Sequence, residues 1–351
     1  MKICFNVSAM ESGGAERVVS TLSNELVKKG HNVSIVMVSA IECRSYYKLD
    51  SKVELIALCE GFKSTPNPIK RVQILKKRLL MQKPDVVIAF LPHICVYTWL
   101  ACKDIDVPYI LSERNDPNTY SLIYKILIRK AFEAASGCVF QTHDAMEWYR
   151  KEKKFSDRII FNSVGLTYIP TIGSNKEKKK SVLFVGRFDA QKNYEMLLKS
   201  FKKFLIDYPE YILDVYGDGP ERENFFSILH ELKLNNHVCY HGKSNTWHRD
   251  EFSAGLYVST SDFEGMSNSL EEAAALGIPC VATDCPIGGS AELAKIFDNI
   301  LLCKVKDENS FVQKMKEAVS IPCYFNGVNS KISREVIVNE WLNLINDIRR
   351  K

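Results

Sequence analysis

Glu264 and Glu272 stand eight positions apart in the run FEGMSNSLEEAAALGIPCVATD, residues 263–284. Helix formers extend from about Ser269 to Leu276, and Gly277 followed by Pro279 stops the helix in the usual order. Glu264 then sits on the loop at the helix mouth, beside Gly265, Met266, Ser267 and Asn268, with Glu272 a turn or two inside. Unpaired N–H groups at a helix mouth attract phosphate, and carboxylates accept hydrogen bonds from sugar hydroxyls. The pattern therefore suits a ligand rich in hydroxyls that also carries phosphate. A second set lies in SVLFVGRFDAQKN, residues 181–193, where Arg187 and Lys192 follow a strand. Two cations converging there neutralise a diphosphate and stabilise it as it leaves. A third lies in MESGGAERVV, residues 10–19, where Gly13 and Gly14 let the backbone approach a phosphate at the start of a helix. This turn does not match the dinucleotide fingerprint. The plainer readings are a surface helix with ordinary glutamates, two solvated cations and a structural turn.

Those residues need strands and helices to hold them, and the chain alternates the two from its start. KICFNV, a helix over about Ala15–Lys29 closed by Gly30, and NVSIVMV form one βαβ unit. PDVVIAFL (84–91), PYILSE (108–113), GCVFQT (137–142) and RIIFNSV (158–164) continue the series as strands, rich in apolar residues as doubly covered parallel sheets require. GSNKEKKK, residues 173–180, is a polar connection. A second alternation follows: SVLFVGRF, a helix Tyr194–Asp207, YILDVYG, a helix Glu221–Leu232, HVCYHG, LYVSTS and the glutamate run. The expected domains are 1–165 and 166–333, both Rossmann-like.

The 351 residues suffice for two cores, with 46% apolar and 25% charged residues and a formal net charge of +5. That charge is too small to indicate nucleic acid. The 11 cysteines are scattered and never form C-x-x-C, which argues against a disulfide framework or structural zinc and for a reducing compartment. Met1–Ser8 reads as a first strand rather than a signal peptide, and no apolar run reaches the roughly 18 residues of a spanning helix. The expectation is a cytosolic protein, or one attached to a membrane surface without crossing it.

The glutamate run, with G-M-S-N-S-L before and A-x-x-x-G-x-P-x-V-A-T-D after its pair, resembles the E-x7-E motif of retaining glycosyltransferases of family 4. G-R-x-x-x-x-K at Arg187 and Lys192, G-x-G-P at Gly217 and Gly219, and G-G-A-E-R at Gly13 and Gly14 stand in the family's order along nearly the whole chain. The resemblance implies the GT-B fold, an α/β architecture of two Rossmann-like domains facing across a cleft. The helix over 334–351 would then pack back on the first, acceptor-binding domain, the second binding the nucleotide sugar. It implies that Glu264 contacts the donor sugar and Glu272 the ribose. Arg187, Lys192 and the Gly13–Gly14 turn would meet the diphosphate, and the backbone near Lys243 in HGKSN the base. A family histidine is missing after PYILSE, where LSERNDP (111–117) places Glu113 and Arg114, in the form of a subgroup making bacterial exopolysaccharide and O-antigen repeats. Arg114 and His93 are the candidates for that neighbourhood. Glu271 reads as a solvated neighbour of the pair.

PIKRVQILKKRLLMQK (68–83) and SLIYKILIRK (121–130) read as basic amphipathic helices whose apolar sides either cover the sheet or meet an anionic membrane. The resemblance favours the membrane, with Lys70, Arg71, Lys76, Lys77 and Arg78 toward the lipid or the acceptor's diphosphate. The implied activity is retaining transfer of a hexose or N-acetylhexosamine, from a donor expected to be UDP-linked, to a polyprenyl-diphosphate-linked saccharide. It would serve bacterial surface polysaccharide synthesis (lipopolysaccharide, O-antigen or capsule) at the inner face of the cytoplasmic membrane. Neither metal nor cofactor is expected, the nucleotide sugar being a substrate. The alternatives are a nucleotide-sugar 2-epimerase of the same fold and a non-catalytic nucleotide-sugar-binding support subunit.

Overall fold

A computed structural model describes residues 1–150, 154–166, 177–244, 246–325 and 327–350. The chain divides into two compact units, Met1–Ser163 with Arg334–Lys351, and Val164–Ser333. Of the polar connection expected over 173–180, residues 173–176 lie outside the described residues.

The first unit is a parallel sheet of seven described strands: β1 (Lys2–Val7), β2 (Asn32–Met37), β3 (Glu54–Ala57), β4 (Val86–Phe90), β5 (Tyr109–Ser112), β6 (Gly137–Phe140) and β7 (Asp157–Ile159). Their order is β3-β2-β1-β4-β5-β6-β7, so the chain winds outward from β1 and then returns to β1's other side. Helices α1 (Gly14–Lys28), α2 (Pro68–Gln82), α3 (Pro92–Cys102), α4 (Leu122–Ala134) and α5 (His143–Tyr149) supply crossovers. Every residue of β4 is buried, as a parallel strand covered on both faces must be. No periodic signal announces α3, because PHICVYTWLAC packs against α2, α4 and the sheet and is apolar nearly all round. The helix Arg334–Arg349 enters this unit's core, where Trp341 stacks on Phe90 at 5.7 Å between centroids. Gly137 makes room for it, since a Cβ there would lie 2.6 Å from Ile348 Cδ1.

The second unit repeats the plan with β8 (Ser181–Val185), β9 (Ile212–Tyr216), β10 (Val238–Gly242), β11 (Leu256–Ser259), β12 (Cys280–Asp284) and β13 (Ile300–Lys304), ordered β10-β9-β8-β11-β12-β13 and all parallel. Its helices are α6 (Tyr194–Phe204), α7 (Arg222–Glu231), α8 (Trp247–Asp250), α9 (Asn268–Ala275), α10 (Gly289–Ala294) and α11 (Glu308–Ser320). A core rich in phenylalanine (Phe184, Phe188, Phe201, Phe204, Phe225, Phe311) holds α6, α7 and α11 to the sheet. Both units are Rossmann-like. In each, the strand order reverses at one place, between β1 and β4 and between β8 and β11. Open sheets bind ligands at the carboxyl ends of such strands, where diverging connections leave a crevice. Among the described residues, no helix is long and apolar enough to cross a membrane.

Candidate active site

Arg187, Lys192 and Glu264 all follow β8 or β11, the pair flanking the reversal in the second sheet. Lys192 ends a short turn, Ala190–Lys192, and its ammonium lies 2.5 Å from Glu264 Oε2. Ser261 Oγ donates to the same oxygen at 2.9 Å. The Lys192 and Glu264 side chains are only 11% and 17% exposed, so the pair is held largely out of water. Three further bonds join the two loops: Thr260 Oγ1 to Lys192 O at 2.8 Å, Asp262 N to Gln191 O at 2.9 Å, and Asn193 Nδ2 to Asp262 Oδ1 at 2.7 Å. Asn193 adopts the left-handed region, φ 48°, which asparagine tolerates, and its Oδ1 caps α6 by accepting from Met196 N. Arg187 is exposed on the same loop, and the Tyr194 hydroxyl holds its carbonyl. Beside them burial raises the carboxyl pKa of Asp189, against the opposing charge of Lys192.

Gly217 and Gly219 follow β9 because its end loop lies directly on the Gly186–Phe188 backbone. A Cβ at Gly217 would sit 1.8 Å from Gly186 O, and one at Gly219 2.3 Å from Phe188 O. Gly186 N and Phe188 N donate to Tyr216 O and Asp218 O, so the G-x-G turn braces the strand end that carries Arg187. Gly289 does the same for the glutamate loop, since a Cβ there would fall 1.7 Å from Gly265 O.

Ser267 caps α9, its Oγ accepting from Leu270 N, with Asn268 the first helical residue and Met266 buried beneath the turn. Glu272 is 2% exposed and Glu271 1%. The expectation of a solvated Glu271 is therefore wrong. Every residue from Leu270 to Ala275 is buried, so this eight-residue, alanine-rich helix has no solvent face to put it on. Lys243 is exposed on the loop after β10, and Asn245 of the HGKSN segment lies outside the described residues.

The remaining candidates belong to the first unit. Gly13 caps α1 and Gly14 is its first residue, one earlier than the sequence suggests. The Glu16 carboxylate folds back over Gly13, reaching within 2.0 Å of where a Cβ would stand, so an anionic group already lies at this helix mouth. His93 begins α3 at the carboxyl end of β4, next to β1, and its ring meets Tyr97 edge-on at 6.2 Å. Burial and then the Arg71 charge lower its pKa. Arg114 is turned into its own unit. It donates to Ser112 Oγ at 2.9 Å and Asn162 Oδ1 at 2.6 Å and stacks over Phe90 at 4.6 Å. Glu113 is a buried latch that accepts from the hydroxyls of Tyr120 and Tyr149 and from two backbone N–H groups, and burial raises its pKa.

The basic helix α2 is less free than its sequence suggests. Arg71 binds Ser39 and Tyr97, Lys76 pairs with Asp104 at 2.8 Å and Arg78 with Glu54 at 3.2 Å, leaving Lys70 and Lys77 exposed without an ion pair among the described residues. The second basic helix, α4, turns apolar residues outward: Leu122, Ile123 and Ile126 are 76%, 74% and 52% exposed, and only Ile128, Ala131 and Phe132 are buried.

Ser261, Thr260, Asn193 and Asp262 are site-forming residues that sequence reading passes over. The signal available was the hydroxyl-rich stretch STSD at 259–262, just ahead of Glu264.

Two family models match the chain: "Glycosyltransferase Family 4" over residues 12–167 and "Glycosyl transferases group 1" over residues 169–333. Among relatives, a Campylobacter jejuni alpha-1,4-N-acetyl-D-galactosaminyltransferase, named for a PP-undecaprenol-linked substrate, is 28% identical over 99% of this chain and 99% of its own. A second C. jejuni protein, a 4-alpha-N-acetylgalactosaminyltransferase named for a diphospho-undecaprenol substrate, is 25% identical over 90% of this chain and 89% of its own. Among solved structures, a mutant of S. aureus TarM in complex with Fondaparinux, alpha-GlcNAc-glycerol and UDP superimposes with a TM-score of 0.77 at 14% identity, covering 98% of this chain and 99% of that one. At that identity the likeness speaks for the fold.

Proposed function

The chain belongs to the glycosyltransferase family these two models describe, with the GT-B fold, and from that premise we propose that it is a retaining transferase acting on a lipid-linked saccharide. The donor is a UDP-linked hexose or N-acetylhexosamine, the acceptor a saccharide on a polyprenyl diphosphate, and the product a bacterial surface polysaccharide precursor. The observation that carries the reading is the Lys192–Glu264–Ser261 cluster at the strand reversal of the second sheet. The relatives' substrates and the UDP in the TarM complex support the choice of acceptor and nucleotide.

In this reading Glu264 accepts hydrogen bonds from the donor sugar's hydroxyls while Lys192 and Ser261 hold its orientation. Arg187 and Lys192 stabilise the charge that gathers on the departing diphosphate. Their charge removes the need for a metal in transfer. Glu272 takes the ribose and the backbone beside Lys243 the base. The acceptor hydroxyl attacks from the face the diphosphate leaves, a donor phosphate oxygen taking its proton, which retains the anomeric configuration. His93, with its pKa lowered, presents a neutral imidazole beside the acceptor.

The exposed apolar turns of α4, with Lys125, Arg129 and Lys130 around them, support docking on an anionic bilayer, where a lipid-linked acceptor resides. The cations of α2 contribute through Lys70 and Lys77.

The deciding experiment incubates the protein with UDP-, GDP- and dTDP-sugars and a short undecaprenyl-diphosphate-linked sugar, following nucleotide release and product mass. Release of UDP with a matching mass gain on the lipid is expected. Donor conversion without acceptor would identify an epimerase and overturn the reading, and so would donor binding with no transfer to the lipid-linked sugar.

A further inference from the structure

The sheet of the second unit carries a cluster that the transfer reaction does not use. Asp214 on β9 and Cys239 and His241 on β10 each present one donor atom, and the three atoms lie within 4.8 Å of one another. The register explains the convergence. Cys239 pairs with Asp214 across the parallel ladder, and the register shifts between Tyr240 and Gly242, where His241 is exposed like Cys239 and brings its ring to the same two residues. On β9, Asp214 points to the face opposite the phenylalanine core, which is met by Leu213 and Val215. A carboxylate oxygen, a thiolate and an imidazole nitrogen form a mixed set that favours zinc-like divalent ions over magnesium or calcium.

From this geometry we propose that Asp214, Cys239 and His241 form a binding site for a divalent transition metal of the zinc class, with water as the fourth ligand. The surroundings already orient the ligands. The His241 ring stacks on Tyr216 at 4.3 Å between centroids and 11° between planes, and one ring nitrogen lies 2.7 Å from Asp214 Oδ1. The Tyr216 hydroxyl is fixed by Glu251 at 3.2 Å, and Glu251 by Lys179 at 3.3 Å. Such outer contacts hold ligand rings in place at known metal sites. Bond lengths of about 2.0–2.3 Å bring tetrahedral ligand atoms to roughly 3.5 Å apart. Cys239 and His241 are exposed, so their side chains have room to rotate toward that spacing. Binding exchanges the thiol proton of Cys239 for the metal and releases it to solvent.

The ion would fasten the outermost strand, β10, to β9. It would also steady Gly242, whose carbonyl accepts from Gly217 N at 2.8 Å in the G-x-G turn. Strand β8 separates β9 from β11, so the ion stands apart from Glu264 and takes no part in transfer.

Cobalt(II) added to chelator-treated protein gives the test, because a thiolate ligand produces a sulfur-to-cobalt charge-transfer band in the near ultraviolet. One equivalent is expected to bind with that band, and zinc to displace it. Cys239→Ser should abolish the band, and His241→Ala and Asp214→Asn should each weaken cobalt binding at least about tenfold, the usual range for lost ligand-shell contacts. Cys43→Ser, at the only other exposed cysteine, should change nothing. No band in the native protein, a band surviving Cys239→Ser, or unchanged affinity in both His241→Ala and Asp214→Asn would overturn the proposal. Far-ultraviolet circular dichroism confirms that each variant is folded.

Discussion

Glu264→Gln separates the charge of Glu264 from its shape. Lys192 and Ser261 both reach one oxygen, Oε2. A glutamine can put its carbonyl oxygen there and keep both bonds, with its amide nitrogen at the other position. What it loses is charge. Hydrogen bonds to charged groups are worth about 1.5–3 kcal/mol and neutral ones about 0.5–1.5, so the stability cost should be about 1–2 kcal/mol. Glu264→Ala removes the acceptor oxygen as well as the charge and leaves the Lys192 ammonium, 11% exposed, with neither an ion-pair partner nor a hydrogen-bond acceptor at that position. Breaking a buried pair in this way costs about 3–5 kcal/mol. Transfer should suffer differently. A sugar hydroxyl that donated to a carboxylate loses about 1.5–3 kcal/mol of binding, which is about 10- to 150-fold in kcat/KM. Urea unfolding of both variants, with kcat and KM from donor titrations, measures the two effects. Unchanged kcat/KM for the donor in Glu264→Gln would refute the assigned role. Equal destabilisation by Gln and Ala would refute the account of the buried pair.

Gly289→Ala places a methyl group against Gly265 O and must displace the glutamate loop. The expected result is a rise in donor KM of about tenfold or more, as misplacement by an ångström commonly costs, and an unchanged KM would mean the loop yields freely. His93 binds its proton less readily when folded, because of burial and then Arg71. The unfolded chain takes that proton first, so His93 lowers stability as pH falls from about 6.5 through its depressed folded pKa. Urea midpoints of His93→Gln should therefore decline less than the native protein's between about pH 7 and 5, and parallel curves would remove His93 from the account. Leu122→Asp combined with Ile123→Asp should abolish flotation with anionic vesicles at low salt while leaving the unfolding free energy within about 0.5 kcal/mol, since both sites are on the surface. Flotation undiminished by the pair would refute docking through α4.

Much of this protein is written in local pattern. Apolar runs such as VVIAF, punctuated by Gly and Pro, announce buried parallel strands, and their alternation with helical segments leaves two Rossmann-like units as the natural arrangement. The glutamate run marks its own helix start and stop, and the order of four motifs identifies the family. These features are legible because they depend on neighbours within a turn or a strand. Other features depend on distant parts of the chain. Lys192 and Glu264 meet across 72 positions because β8 and β11 are adjacent at the strand reversal. Glu271 is buried because α9 is enclosed from Leu270 onward, which no helical periodicity reveals. The apolar side of α4 suits in sequence either the sheet or a membrane, since a stripe does not state which way it faces. Cys239 and His241 are two apart on β10, but only the pairing with β9, irregular at His241, brings Asp214 to them. The sequence by itself determined which elements form and which residue types stand at their ends. Tertiary structure decided which ends meet, because that follows from strand order and packing, which bring together residues far apart in the chain.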